Sequence, residues 1–141
     1  MDPRSIVCGV DFSKASAKAL REAAALARRS HGRLLVLFVE DPILAAAARA
    51  AQDLRGSRAA VTAALGDFVS TALGRAARPR VTEAVVDGQP VEEILKAAKR
   101  SRAGLVVIGT RGLGRAARLL LGSTADGVLR YSRIPVLAVP S

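Results

Sequence analysis

Gly109-Thr110-Arg111-Gly112 is followed, after nine intervening residues, by Gly122-Ser123-Thr124, a G-x2-G-x9-G-[ST] spacing. These residue types suit an anion. Glycine after a strand lets the backbone approach a ligand closely and take positive φ, so that successive N–H groups converge on a phosphate. A helix opening at Ser123 or Thr124 adds N–H groups without intrahelical acceptors, the positive end of its dipole and two hydroxyl donors. Arg111, Arg115 and Arg118 fall in the same stretch, and inward-turned guanidinium groups would offset the charge of a polyphosphate. Taken singly, Gly109, Gly112 and Gly114 read as turn glycines and Ser123 as a helix cap. Their joint spacing favours a phosphate loop.

The elements that must position this loop follow from hydrophobic periodicity. Residues 5–10 form a short apolar run closed by Asp11-Phe12-Ser13, which reads as a buried strand and a helix start with Ser13 as N-cap. Ala19, Leu20, Ala23, Ala24, Leu26 and Ala27 then recur at helical spacing on one face of a crossover helix. Residues 33–39, RLLVLFV, are too uniformly apolar for a half-exposed antiparallel strand and predict a central parallel one. Residues 43–77 predict a mobile connection followed by a helix from about Ser57. Residues 81–86 predict a third strand, Val91, Ile94, Leu95 and Ala98 the stripe of a third helix, residues 104–108 a fourth strand and residues 124–132 a last helix. The fifth strand is residues 134–139, with Ile134 and Val139 at its ends; Pro135 suits an edge position there. This alternation predicts an α/β fold, an open five-stranded parallel sheet, doubly wound and Rossmann-like, with spatial order 3-2-1-4-5 and helices on both faces.

In such sheets ligands sit beyond the carboxyl ends of the strands where the winding reverses. Here that crevice lies between strands one and four, so Asp11 is expected to face Gly109. A carboxylate there accepts a hydrogen bond from an exocyclic amine or a ribose hydroxyl. The alternative for Asp11 is a cap on the first helix.

Composition bounds the function class. A chain of 141 residues fits one domain, 1–141, with a real core. Lys and Arg number 22 against 12 Asp and Glu, a net charge of +10 that raises the expectation of an anionic partner without choosing it. Aromatic residues are only 3%, which argues against a stacking platform for nucleic-acid bases. The single cysteine, Cys8, lies in an apolar run and predicts a reducing, cytoplasmic setting. The first residues have too short an apolar run for a signal peptide, and no run of 18 apolar residues occurs, so no membrane partner is expected.

The segments IVCGVDFS, LLVLFVED, VVDGQPVEEIL, LVVIGTRGLG and LLLGSTADGVLRYSRIPVLAVP together resemble the nucleotide-binding branch of the universal stress protein family over nearly the whole chain. The resemblance implies an ATP-binding stress-response protein, with ADP or AMP as alternatives and Mg²⁺ accompanying the phosphates. It implies that Asp11 and the backbone of Val39 hold the adenine and its neighbours. By the same resemblance Gly109, Arg111, Gly112 and Gly122 frame ribose and phosphates, and Ser123 and Thr124 bind phosphate oxygens. It also implies a homodimer joined along residues 134–139, and an unidentified regulatory protein partner. Asp126 and Gly127, in the first turns of the last helix, depart from the longer polar side chains usual in the family, which bears on both the stability of that helix and phosphate affinity.

Three function classes compete. A regulatory module whose nucleotide occupancy biases a dimer or a partner-binding face agrees with the loop. An ATP-hydrolysing enzyme lacks a G-x-x-x-x-G-K-[ST] loop and has His31 as its one histidine, although slow hydrolysis by water beside Mg²⁺ needs neither. A nucleic-acid binder rests on charge alone, with dispersed arginines and no recognised motif.

Overall fold

The computed structural model describes residues 1–52, 56–75, 77–111 and 121–141. Five strands, β1 (Asp2–Val10), β2 (Arg33–Glu40), β3 (Arg80–Asp87), β4 (Ala103–Gly109) and β5 (Val136–Val139), make one parallel sheet of order β3-β2-β1-β4-β5. This is the expected order. Among the described residues five helices accompany it: α1 (Lys14–Arg29), α2 (Pro42–Ala50), α3 (Arg58–Leu73), α4 (Pro90–Arg100) and α5 (Ser123–Tyr131).

The sheet has two separate cores. On one face α1 and α3 cover Ile6, Cys8, Leu34 and Val36 with Leu20, Leu65 and Val69. On the other, α4 and α5 cover Val7, Leu37, Val106 and Ile108 with Ile94 and Val128. Alternate residues of β1 thus enter opposite cores, as the period of a strand requires. Leu20, Leu34, Leu37 and Leu65 are fully buried, and each contributes about 1.5–3 kcal/mol relative to exposure.

Several boundaries differ from the expectation. The connection after β2 begins as the helix α2: Asp41 is its N-cap, accepting from the Ile43 N–H at 2.8 Å, and Pro42 occupies its first turn. Asp-Pro therefore starts a helix as well as ending a strand. β1 begins at Asp2, earlier than residue 5, because its register against β4 shifts between Asp2 and Ile6 and accommodates Pro3, while the Asp2 N–H donates to the Arg102 carbonyl at 2.7 Å. β5 starts at Val136, after Pro135.

The ends of β2 and β3 are tied together by Arg58 in the first turn of α3. Its guanidinium donates to the Val85 carbonyl at 2.7 Å and to Asp87, and lies 3.3 Å from the buried Glu40 carboxylate. Among the described residues no helix is long and apolar enough to cross a membrane.

Candidate functional site

A cleft of about 480 Å³ opens at the carboxyl ends of β1, β2 and β4, where the crossovers change direction. Its volume lies within the roughly 300–1,000 Å³ usual for small-molecule sites. Asp11, Val39, Gly109, Arg111, Gly122, Ser123 and Thr124 all line it. Gly112, Gly114, Arg115 and Arg118 lie outside the described residues.

The β1–α1 turn builds one wall. Asp11 Oδ1 accepts from the Ser13 N–H at 3.0 Å, and Ser13 Oγ accepts from the Ser16 N–H at 3.1 Å as the cap of α1. Asp11 thus ties the turn, and Ser13 caps the helix. Ser16 Oγ completes the turn, donating to the Ser13 carbonyl at 3.0 Å and accepting from the Asp11 N–H at 3.3 Å.

Between Asp11 and Ser13, Phe12 has φ 65°, a left-handed conformation that is strained for a bulky residue. Ring packing holds it there. The Phe12 ring lies 4.6 Å from Phe38 and 5.4 Å from Phe68, so all three phenylalanines of the chain meet beneath the turn. Phe38 also lines the cleft.

The opposite wall is the junction of β4 and α5. The Thr110 N–H donates to the Val139 carbonyl at 3.0 Å, and the Gly122 N–H donates to the Thr110 carbonyl at 2.7 Å. These bonds clip the start of α5 over the end of β4. Gly122, not Ser123, is the N-cap, with φ −60°, and α5 has no side-chain capping bond. The first backbone bond back along the helix is from the Asp126 N–H to the Gly122 carbonyl at 2.9 Å. Ser123, Thr124 and Ala125 therefore lack intrahelical acceptors for their N–H groups, and the two hydroxyls are not used to cap the helix.

The expectation of positive φ at the loop glycines is not met at Gly109 or Gly122. Gly109 is required for another reason. A Cβ there would lie 3.0 Å from the carbonyl carbon and oxygen of Ala15 and 3.3 Å from the Ser16 nitrogen. Glycine at 109 lets the first turn of α1 pack against the end of β4 and brings the two walls together.

Val39 lies one residue beyond Phe38, the last β2 residue paired with β1, which is why it reaches the cleft. Sequence reasoning missed Gly9, Phe38, Pro90, Ile94 and Leu121 as lining residues. The segment Asp87-Gly88-Gln89-Pro90 was read only as a turn, yet it opens α4 with Pro90 in the first turn and directs that helix start at the cleft. The lining therefore combines apolar residues, Val10, Leu37, Phe38, Val39, Ile94 and Ile108, with polar ones, Asp11, Arg111, Ser123 and Thr124. Such a mixed lining suits a ligand with a flat, weakly polar body and an anionic tail. Among the described residues no three His, Cys, Asp or Glu side chains group as metal ligands.

The profile of the universal stress protein family matches residues 3–140. Universal stress protein Rv1636 of Mycobacterium tuberculosis is 31% identical over 141 residues, covering 96% of this chain and 95% of its own. Local matches to three further curated relatives, at 40–44% identity, span only 44, 32 and 36% of those proteins. Among solved structures, MJ0577 of Methanocaldococcus jannaschii superposes with a TM-score of 0.82 at 24% identity, covering 98% of this chain and 96% of that one. A universal stress protein in complex with cAMP superposes with a TM-score of 0.70 at 27% identity, covering 99% and 98%.

Proposed function

Because this chain belongs to the universal stress protein family, we propose that it is an ATP-binding regulatory module of the stress response whose nucleotide occupancy biases dimer formation or a partner-binding face. The observation that carries this reading is the lining of the cleft: apolar residues from three strands and α4 together with the α5 N-terminus and its two hydroxyls. The cAMP complex of a 27%-identical relative supports an adenine nucleotide as the class of ligand.

In this reading the base lies against Val10, Phe38 and Val39, and the second oxygen of the Asp11 carboxylate accepts from the ribose or the exocyclic amine. The first-turn N–H groups of Ser123, Thr124 and Ala125, the two hydroxyls and Arg111 take the phosphates. Mg²⁺ is held mainly by phosphate oxygens and hydroxyls, as this ion tolerates few protein ligands. The whole chain acts as one domain in a reducing cytoplasm. Its dimer forms along β5, an edge strand whose Val136, Leu137 and Ala138 remain half-exposed and whose unpaired edge can template a second copy.

Calorimetric titration of nucleotide-stripped protein with Mg·ATP and with Mg·GTP, paired with sedimentation of the same samples, tests this reading. Saturable, ATP-selective binding that shifts the sedimenting mass is expected. Absence of binding, with no nucleotide released on denaturation, would overturn it.

A further inference from the structure

At the amino-terminal edge of the sheet, away from the cleft, a pocket of about 190 Å³ lies between the last turns of α1 and α3 and the approach to β3. Arg21, Arg28 and Arg78 surround it, over a floor of Ala24, Ala72 and Leu73. Among the described residues no acidic side chain lines it. Among the described residues none of the three arginines takes part in an ion pair.

The arrangement is organised. Arg28 donates from Nη1 to the Ala77 carbonyl at 3.1 Å, and Arg78 donates from Nη2 to the Gly74 carbonyl at 3.2 Å. Each bond orients a guanidinium and leaves its remaining N–H groups unused. Arg21 stands seven residues before Arg28, two turns along the same face of α1, and donates no hydrogen bond among the described residues. A purely structural role would be to serve two helix C-termini, since α1 ends at Arg29 with Ser30 as C-cap and α3 at Leu73 with Gly74 as C-cap. Each terminus carries about half a negative charge. Three guanidinium groups exceed that by about two units, and Arg29, also in the last turn of α1, adds to the surplus.

We propose that Arg21, Arg28 and Arg78 form a second anion site that takes a compact phosphate dianion, free or esterified to a small apolar group. The planar forks of arginine match phosphate oxygens two at a time, and the alanine-leucine floor accepts an apolar substituent. The site is separate from the nucleotide cleft and does not depend on what the cleft binds. It places part of the surplus +10 charge in one pocket.

The test is a ¹⁵N NMR titration of the full chain with inorganic phosphate and with phenyl phosphate, following the amides of Ala24, Ala72 and Ala77 apart from those of Gly109 and Ser123. Saturable shifts of the first group are expected, and the tighter ligand identifies the free or esterified form. In Arg28→Gln/Arg78→Gln, which removes both guanidinium charges and keeps polar side chains, Kd rises at least about tenfold. A control pair, Arg100→Gln/Arg133→Gln, removes the same charge elsewhere and leaves Kd within about twofold. If the first pair fails to fold, Arg21→Gln, which breaks no recorded hydrogen bond, is expected to weaken binding by itself. Shifts that never saturate, or equal losses in both pairs, would overturn the site and leave the arginines as partners of the two helix ends.

Discussion

Asp11 shows how one side chain serves the fold and, in the proposed function, the ligand. One carboxylate oxygen accepts from the Ser13 N–H and keeps the β1–α1 turn closed over a strained Phe12; the other is assigned to the nucleotide. Asp11→Asn retains an acceptor for Ser13 but loses the charge, whereas Asp11→Ala loses both. Both variants are expected to weaken ATP binding by about tenfold or more and to narrow the preference for ATP over GTP. Only Asp11→Ala is expected to lose about 1 kcal/mol of stability. Calorimetry with urea denaturation separates the two effects, and unchanged ATP affinity in both variants would remove Asp11 from the site. Gly109 carries the complementary lesson: its glycine is demanded by the backbone of α1 at 3.0 Å, not by an unusual φ.

Between elements, the close contact of α4 with α5 decides the residue at 127. A Cβ on Gly127 would lie 2.5 Å from Val91 Cγ2, and a β-branched side chain on a helix has little freedom to turn away. The departure from longer side chains at this position therefore has a packing cause, while neighbouring Asp126 pairs with Arg130 at 3.4 Å on the exposed side of α5. Alanine gains about 1 kcal/mol over glycine in a helix interior, but overpacking costs about 1–3 kcal/mol. Gly127→Ala is thus expected to be neutral or destabilising alone and stabilising when Val91 is also replaced by alanine. Urea denaturation of the four-member cycle measures this, and additive behaviour would show that the contact is not limiting.

Across the molecule, Cys8 reports on the integrity of the sheet. It sits in the central strand with no exposed surface, and burial pushes its thiol up to about 12. Below the unfolded value of 9.0 both states hold the proton, and this contribution to stability is intact. Between 9 and about 12 the unfolded chain ionises while the folded one does not, so stability falls by up to about 1.4 kcal/mol per pH unit. Cys8→Ala is expected to show a shallower fall over that range in denaturation experiments, and native Cys8 to react with thiol reagents only as the protein unfolds. Equal pH profiles would mean that the thiol is less protected than its position indicates.

The amino-acid sequence by itself determined the five strands, their order of succession and the loop-to-helix junction at Gly122-Ser123-Thr124, because these depend on local hydrophobic period and on residues such as Asp11 that punctuate it. Even there a single signal served two purposes: Asp41-Pro42 ends β2 and starts α2, and periodicity over an alanine-rich stretch could not separate that helix from a connection. Beyond the sheet order and the pairing of Asp11 with Gly109 across one cleft, which were expected, the tertiary structure decided which distant segments meet. Phe12, Phe38 and Phe68 converge under one turn, the start of α4 joins the cleft wall, and arginines from α1 and from the approach to β3 surround one pocket. Such meetings follow from crossover direction and sheet order, which set the neighbours of a side chain, whereas the local pattern sets only which way it faces.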